Sequence, residues 1–244
     1  MLWRFIDNPR EDSLTASVFT HLLHLPTELF WQILHSACSS NTLPRFSGEP
    51  RSHEFWPKWG AAGTIKNTTY VEPDVFIRFA DFDVIIEAKR WDVPMHDKSQ
   101  WEKELIAYAN EYGSEKQAVR MIAIGGIHTE SDDSLSHQWF DADNESDGAR
   151  GDSHLFDCPV HMCRWSGLLL ECQRMERELE KLRYPSSQSH AHRRILLDLI
   201  NLFASHGFQT GTWFAELVPR LRLLAFSQTP NHGVLRICPP FSHL

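Results

Sequence analysis

The chain has 244 residues, 42% of them hydrophobic and 23% charged, a globular balance with material for one sizeable domain or two small ones. No apolar run approaches the roughly 20 residues needed to cross a bilayer, and the N-terminus lacks a secretory apolar core, so the expectation is a cytoplasmic protein with no membrane contact. A net charge of −8 argues against a protein that coats nucleic acid by charge alone. The acidic excess is local: residues 128–157 carry nine Asp and Glu against one Arg, and the remainder is neutral. Five scattered cysteines, Cys38, Cys158, Cys163, Cys172 and Cys238, favour free thiols over a disulfide framework.

Asn8-Pro9-Arg10-Glu11 reads as a helix start, with Asn8 as N-cap and Pro9 as the first helical residue. Leu14, Val18, Phe19 and Leu22 follow at helical spacing. Pro26 breaks the run, and Leu29, Phe30, Ile33, Leu34 and Ala37 mark a second helix. Cys38 to Asn67 is polar and rich in Gly and Pro, which predicts a loop that enters a first strand near Gly63 to Tyr70.

The centre of the chain is Val71 to Arg90. Two β-rich runs flank a polar turn expected at Ala80 to Asp83. The second run, Val84 to Ile86, is wholly apolar, as in a strand covered on both faces. It ends in Glu87-Ala88-Lys89. Strand alternation puts Glu87 and Lys89 on one face and Ala88 on the other. If the two runs pair antiparallel, Asp74 lies beside Glu87, and two facing acids repel unless a cation sits between them. An ordinary solvated Glu87–Lys89 ion pair is the plainer alternative.

Trp91 to Pro94 reads as a loop. Lys98 to Tyr112 reads as a helix closed by Gly113, with Gln100, Glu104 and Tyr108 in one stripe. Tyr108 is expected to pack in the core with its hydroxyl at the rim. Ala118 to Gly125 is the next strand. Residues 128–157 lack periodicity and read as a long loop. Pro159 to Trp165 is a short strand. Its Cys158, His161 and Cys163 fit no usual zinc spacing. Ser166 is the expected cap of a helix over Gly167 to Arg183. After a Pro/Ser joint, a basic helix start at His190 to Arg194 offers phosphate contacts or a solvated end. That helix runs to His206-Gly207, and another is expected over Trp213 to Phe226.

The central stretch resembles the PD-(D/E)XK nuclease superfamily. Pro73-Asp74 matches the first half of the motif and Glu87-Ala88-Lys89 the second, with twelve residues between Asp74 and Glu87. The order helix, strands, helix, strand over Asn8 to Gly125 is similar to that superfamily's core. The resemblance implies an α/β, restriction-endonuclease-like core: a mixed central sheet flanked by helices, with extra C-terminal helices. The nuclease-like domain would span residues 1–183, including the acidic loop. A helical subregion, 184–244, would pack on the same domain. The resemblance further implies a Mg²⁺-dependent deoxyribonuclease in which Mn²⁺ substitutes. Asp74, Glu87 and the Ala88 carbonyl would hold the metal. Lys89 would position water, Gln100 would steady Lys89, and Glu11, with Glu28 as second candidate, would complete the acidic site. DNA would be the substrate, and a protein partner would supply recognition or activation. A homodimer would suit double-strand cutting, and restriction or anti-phage defence would be the setting. Two alternatives stay open. One is a catalytically silent nuclease fold used for nucleic-acid binding or assembly. The other is an unrelated interaction protein built on the C-terminal helices.

Overall fold

A computed structural model of the chain describes residues 11–38, 43–62, 69–93, 96–126 and 158–209. The expected cap at Asn8 and Pro9, the acidic stretch 128–157, Cys238 and the helix over Trp213 to Phe226 lie outside the described residues.

The described chain is mixed α/β. Helix α1 (Glu11–Leu23) and α2 (Thr27–Ala37) precede β1 (Ser52–Phe55), β2 (Trp59–Gly60), β3 (Tyr70–Val71), β4 (Val75–Arg78) and β5 (Phe82–Ala88). Then come α3 (Lys98–Tyr112), β6 (Ala118–Ile124), β7 (Val160–Cys163), α4 (Trp165–Glu180) and α5 (Ser187–Ser205). Five strands form one sheet in the order β1-β4-β5-β6-β7. β4 runs antiparallel to β1 and β5. β5, β6 and β7 are parallel, with α3 connecting the first two. Helices flank the sheet on both sides.

Side-chain alternation on β5 explains the two layers. Val84, Ile86 and Ala88 join a core with α1, α2, α4 and α5. Ile85 joins a second core under α3, with Trp101, Leu105 and Tyr108. All seven residues of β5 are buried, which accounts for the unbroken apolar run in its sequence. Burying side chains of this size contributes about 1.5–3 kcal/mol each. Val84, Ile85 and Ile86 together therefore offset the several kcal/mol that a buried ionised group costs. Leu196, Leu199 and Phe203 of α5 belong to the same core as α1 and α4. No described helix is long and apolar enough to cross a membrane.

Several boundaries differ from the sequence reading. β5 begins at Phe82, inside the expected turn, because Phe82 and Asp83 face the interior and pair with Ala118 and Val119. β1 lies within the expected loop. It is an edge strand held by backbone pairing to β4, with Ser52, His53 and Glu54 exposed, so it has no apolar pattern to read. Tyr70–Val71 pairs with Trp59–Gly60 in a separate two-stranded ribbon rather than in the sheet. Helix α4 starts at Trp165, and its cap is not Ser166. The Asp92 carboxylate accepts from the Trp165 and Ser166 backbone N–H groups and from the Ser166 hydroxyl. Helix α5 starts at Ser187, capped by the Ser186 hydroxyl, ahead of the expected basic start. There Arg193 is paired with Glu176 and Glu180, which leaves it committed to acids rather than phosphate. Cys158 sits in the core under α3 and Cys163 in the opposite one, so the two do not converge on one metal. Cys38, Cys158, Cys163 and Cys172 are free thiols.

Candidate active site

The carboxyl end of β5 gathers the charged groups. Val75 pairs with Ile86 in the antiparallel register. One step further puts Asp74 opposite Glu87, on the same face. Asp74 sits in a bend just before β4 and is buried, as is Glu87. Asp74 Oδ2 accepts from the Ala88 backbone N–H at 2.8 Å, and Oδ1 accepts from the Trp56 indole at 3.2 Å. Burial, then the charge of Glu87, push the Asp74 carboxyl up to about 7. Burial raises Glu87 as well, against the opposing pull of Lys89.

Glu87 Oε1 is gripped from two sides. Lys89 Nζ lies at 2.5 Å and Gln100 Nε2 at 2.5 Å. Burial alone would lower the Lys89 ammonium, but the charges of Glu87, Glu11 and Asp74 outweigh it, and the net direction is up. Lys89 therefore stays protonated at neutral pH. Glu11, in the first turn of α1, accepts from the Arg90 backbone N–H at 2.6 Å. Its anchor is the strand end itself, next to Lys89. Glu28 is exposed at the start of α2.

Two further acids complete the face under α3. Glu104 is buried at 1% exposure, with no hydrogen-bond donor on either carboxyl oxygen. Its carboxyl neighbours that of Glu87. Two facing carboxyls avoid repulsion when one of them holds a proton, and Glu104 in that form can donate to the Glu87 carboxylate. Burial and the neighbouring Glu87 and Asp74 charges push Glu104 in that direction, well above the ordinary carboxyl range. Asp83 lies on the same face at the other end of β5 and accepts from the Tyr108 hydroxyl at 2.9 Å, from Arg78 and from Gln117. Tyr108 is thus buried at both ring and hydroxyl, not at a rim.

The turn after β6 closes the site. Gly125 and Gly126 both have positive φ. A Cβ on Gly125 would lie 2.2 Å from the Lys89 carbonyl oxygen, and one on Gly126 would lie 2.6 Å from the His96 ring and 3.1 Å from Lys89 Cγ. Only glycine allows the backbone this close to Lys89. His96 Nε2 is 3.0 Å from the Gly125 carbonyl, which can only accept, so Nε2 carries the proton. Burial and the nearby Lys89 charge lower His96 to about 4, and it remains neutral.

Comparison with known proteins places little on this site. No family model matches the chain. No solved structure matches it. A relative from Pasteurella multocida (strain Pm70), the uncharacterized protein PM0110, is 29% identical over 119 residues, or 48% of this chain. The match spans 43% of that relative's length, so it shows no family.

The donors on the Asp74–Glu87 face are carboxylate oxygens, the chemistry of a hard divalent cation. Among the described residues no three His, Cys, Asp or Glu side chains converge as a ready-made metal cage. The face does hold a surplus of acid: Asp74 and Glu87 stand against the single Lys89, with the buried carboxyl of Glu104 beside them. Glu11, Asp74, Glu87, Lys89 and Gln100 all come to one strand end. Glu104 was visible only as a member of the α3 stripe. Trp56 and His96 carried no signal, because their contacts reach across 18 and 29 residues.

Proposed function

We propose that the chain is a metal-dependent nuclease that hydrolyses phosphodiester bonds, with DNA as its substrate. The supporting observation is the pairing of Asp74 and Glu87 on one face of adjoining strand ends, with Lys89 Nζ 2.5 Å from Glu87. A restriction-endonuclease-like core is the finer reading of the mixed sheet and of its β5–α3–β6 unit. Asp74, Glu87 and the Ala88 carbonyl would hold Mg²⁺ or Mn²⁺, which supplies neutralisation of phosphate charge and a more acidic bound water.

The chain's own residues divide the remaining work. Lys89, as an ammonium, donates to the attacking water or to a phosphate oxygen where negative charge grows. It acts as a charge and a hydrogen-bond donor, because the surrounding acids keep its proton on. Gln100 holds Glu87 Oε1 from α3, so that Lys89 can leave it without freeing the carboxylate. Glu11 fixes the backbone that carries Lys89. The acidic balance of the chain supports a separate protein partner for DNA recognition. A role in restriction or anti-phage defence rests on the superfamily resemblance alone.

A second reading is a silent nuclease fold that binds or assembles without cutting. Its support is the tight Lys89–Glu87 ion pair and the lack of a three-ligand cage among the described residues. Plasmid nicking in Mg²⁺, Mn²⁺ and EDTA separates the two. The nuclease reading expects metal-dependent nicking that Asp74→Ala and Lys89→Ala each reduce at least about a hundredfold, the scale on which removing one electrostatic stabiliser acts, with the fold unchanged by circular dichroism. Nicking that survives both substitutions rules out this site. A wild-type protein that cleaves neither plasmid nor single-stranded DNA in Mg²⁺ or Mn²⁺ favours the silent fold.

A further inference from the structure

Two exposed aromatic rings sit close in sequence to the paired acids, one on each side. Tyr70 precedes Asp74 by four residues and Trp91 follows Glu87 by four. Four residues of chain span at most about 14 Å, so the backbone of each ring lies within that distance of the backbone of its acid. Tyr70 is 45% exposed and Trp91 44% exposed, in a chain whose other tryptophans described as buried include Trp31, Trp59, Trp101 and Trp165. Each ring carries a cation: Lys58 Nζ is 4.8 Å from the Tyr70 centroid, and the Arg90 guanidinium is 4.5 Å from that of Trp91.

Trp91 is also held in place. Its carbonyl accepts from the Gly126 N–H at 2.6 Å, and its ring packs on Phe208 at 5.9 Å. A large apolar ring kept rigid, half in solvent and beside a cation suits a flat, electron-rich partner that carries negative charge nearby. A nucleobase with its phosphate has that chemistry.

The rest of the surface argues for single strands over duplex. Duplex affinity comes chiefly from cations set against phosphates. Here Lys58, Arg78, Arg174, Lys181 and Arg193 are each paired with acids, Lys58 with Glu72 at 3.6 Å, and the chain is net acidic. Stacking on aromatic faces needs less charge but requires unpaired bases. We infer that the nucleic acid this site takes is single-stranded, with a base stacked on Trp91 and a second on Tyr70. This rests on the phosphodiesterase reading above and names its substrate form.

The test is fluorescence anisotropy of a labelled single-stranded 20-residue DNA and of its duplex, in EDTA so that hydrolysis is stopped. Wild type is expected to bind the single strand more tightly than the duplex. Trp91→Ala and Tyr70→Ala should each weaken single-strand binding about five- to hundredfold, the range found for losing one stacked base. Trp91→Phe should keep most of the affinity, and duplex binding should change little in any variant. Tighter binding of the duplex by wild type overturns the inference. So does single-strand binding that Trp91→Ala and Tyr70→Ala leave intact. Metal-dependent nicking that persists with such unaltered binding removes this inference and spares the nuclease reading. Absence of both nicking and binding to either DNA removes both.

Discussion

Trp56 adopts φ +49, a conformation that costs a bulky L side chain about 1–3 kcal/mol. At that position its backbone N–H donates to the Asp74 carbonyl and its indole N–H to Asp74 Oδ1, each at 3.2 Å. The strained residue therefore fixes both the backbone and the carboxyl of one member of the acid pair. Trp56→Phe keeps a ring and removes the indole donor. A hydrogen bond to a charged group contributes about 1.5–3 kcal/mol, and part of that returns through solvent at this half-buried position. The expected outcome is Mn²⁺ binding weakened about tenfold by calorimetry, with the melting temperature nearly unchanged. Equal Mn²⁺ affinity in the variant would mean that Asp74 is held well enough by Ala88 alone.

At the scale of elements, α3 sets the face of the site. Gln100, Glu104 and Tyr108 recur every fourth residue, and all three reach β5: Gln100 and Glu104 at Glu87, Tyr108 at Asp83. Glu104→Gln tests which form of that acid the helix holds. A Gln amide can donate to Glu87 as a protonated carboxyl does. The variant should therefore melt a few degrees higher at pH 8, at about 2–4 °C per kcal/mol for a chain of this size, and should keep its metal affinity. A variant that melts lower and loses metal would assign Glu104 a charged role. The α3 stripe and β5 were legible in the sequence because each is a local pattern with one period: every fourth residue on a helix, a continuous apolar run on a strand covered twice. Glu87 and Lys89 followed from alternation on β5. The misses share the opposite property. β1 shows three exposed residues, pairs with β4 through its backbone and packs just Phe55 on the core. The ribbon of β2 and β3 has two residues per strand. The cap of α4 comes from Asp92, 73 residues before Trp165. No window of sequence contains both partners of such contacts.

Across the whole molecule, the buried acids tie stability to pH. Asp74 titrates at about 7 in the folded chain against 3.8 ordinarily, and Glu87 and Glu104 move upward with it. Between about pH 4 and 7 the folded state therefore holds more protons than the unfolded state, and stability falls as pH rises through that window. For Asp74 the displacement corresponds to at most about 4 kcal/mol, and its coupling to Glu87 means that the two share one loss rather than adding. The metal-free protein should accordingly melt several degrees lower at pH 8 than at pH 5. A divalent cation that binds the ionised pair reverses this, since a ligand of the folded state alone stabilises it. Millimolar Mg²⁺ should raise Tm clearly at pH 8 and hardly at pH 5, where protons already neutralise the acids. Glu87→Gln should reduce the pH dependence, which burial of Asp74 and Glu104 still sustains, and should abolish the Mg²⁺ effect, because its amide removes one of the two charges the cation needs while Lys89 and Gln100 keep an oxygen to donate to. Differential scanning calorimetry at the two pH values, with Mg²⁺ and with EDTA, measures all of these at once. A metal-free Tm that is flat or rising from pH 5 to 8 would mean that the acids ionise without strain, and the case for a cation between them would lose its electrostatic basis.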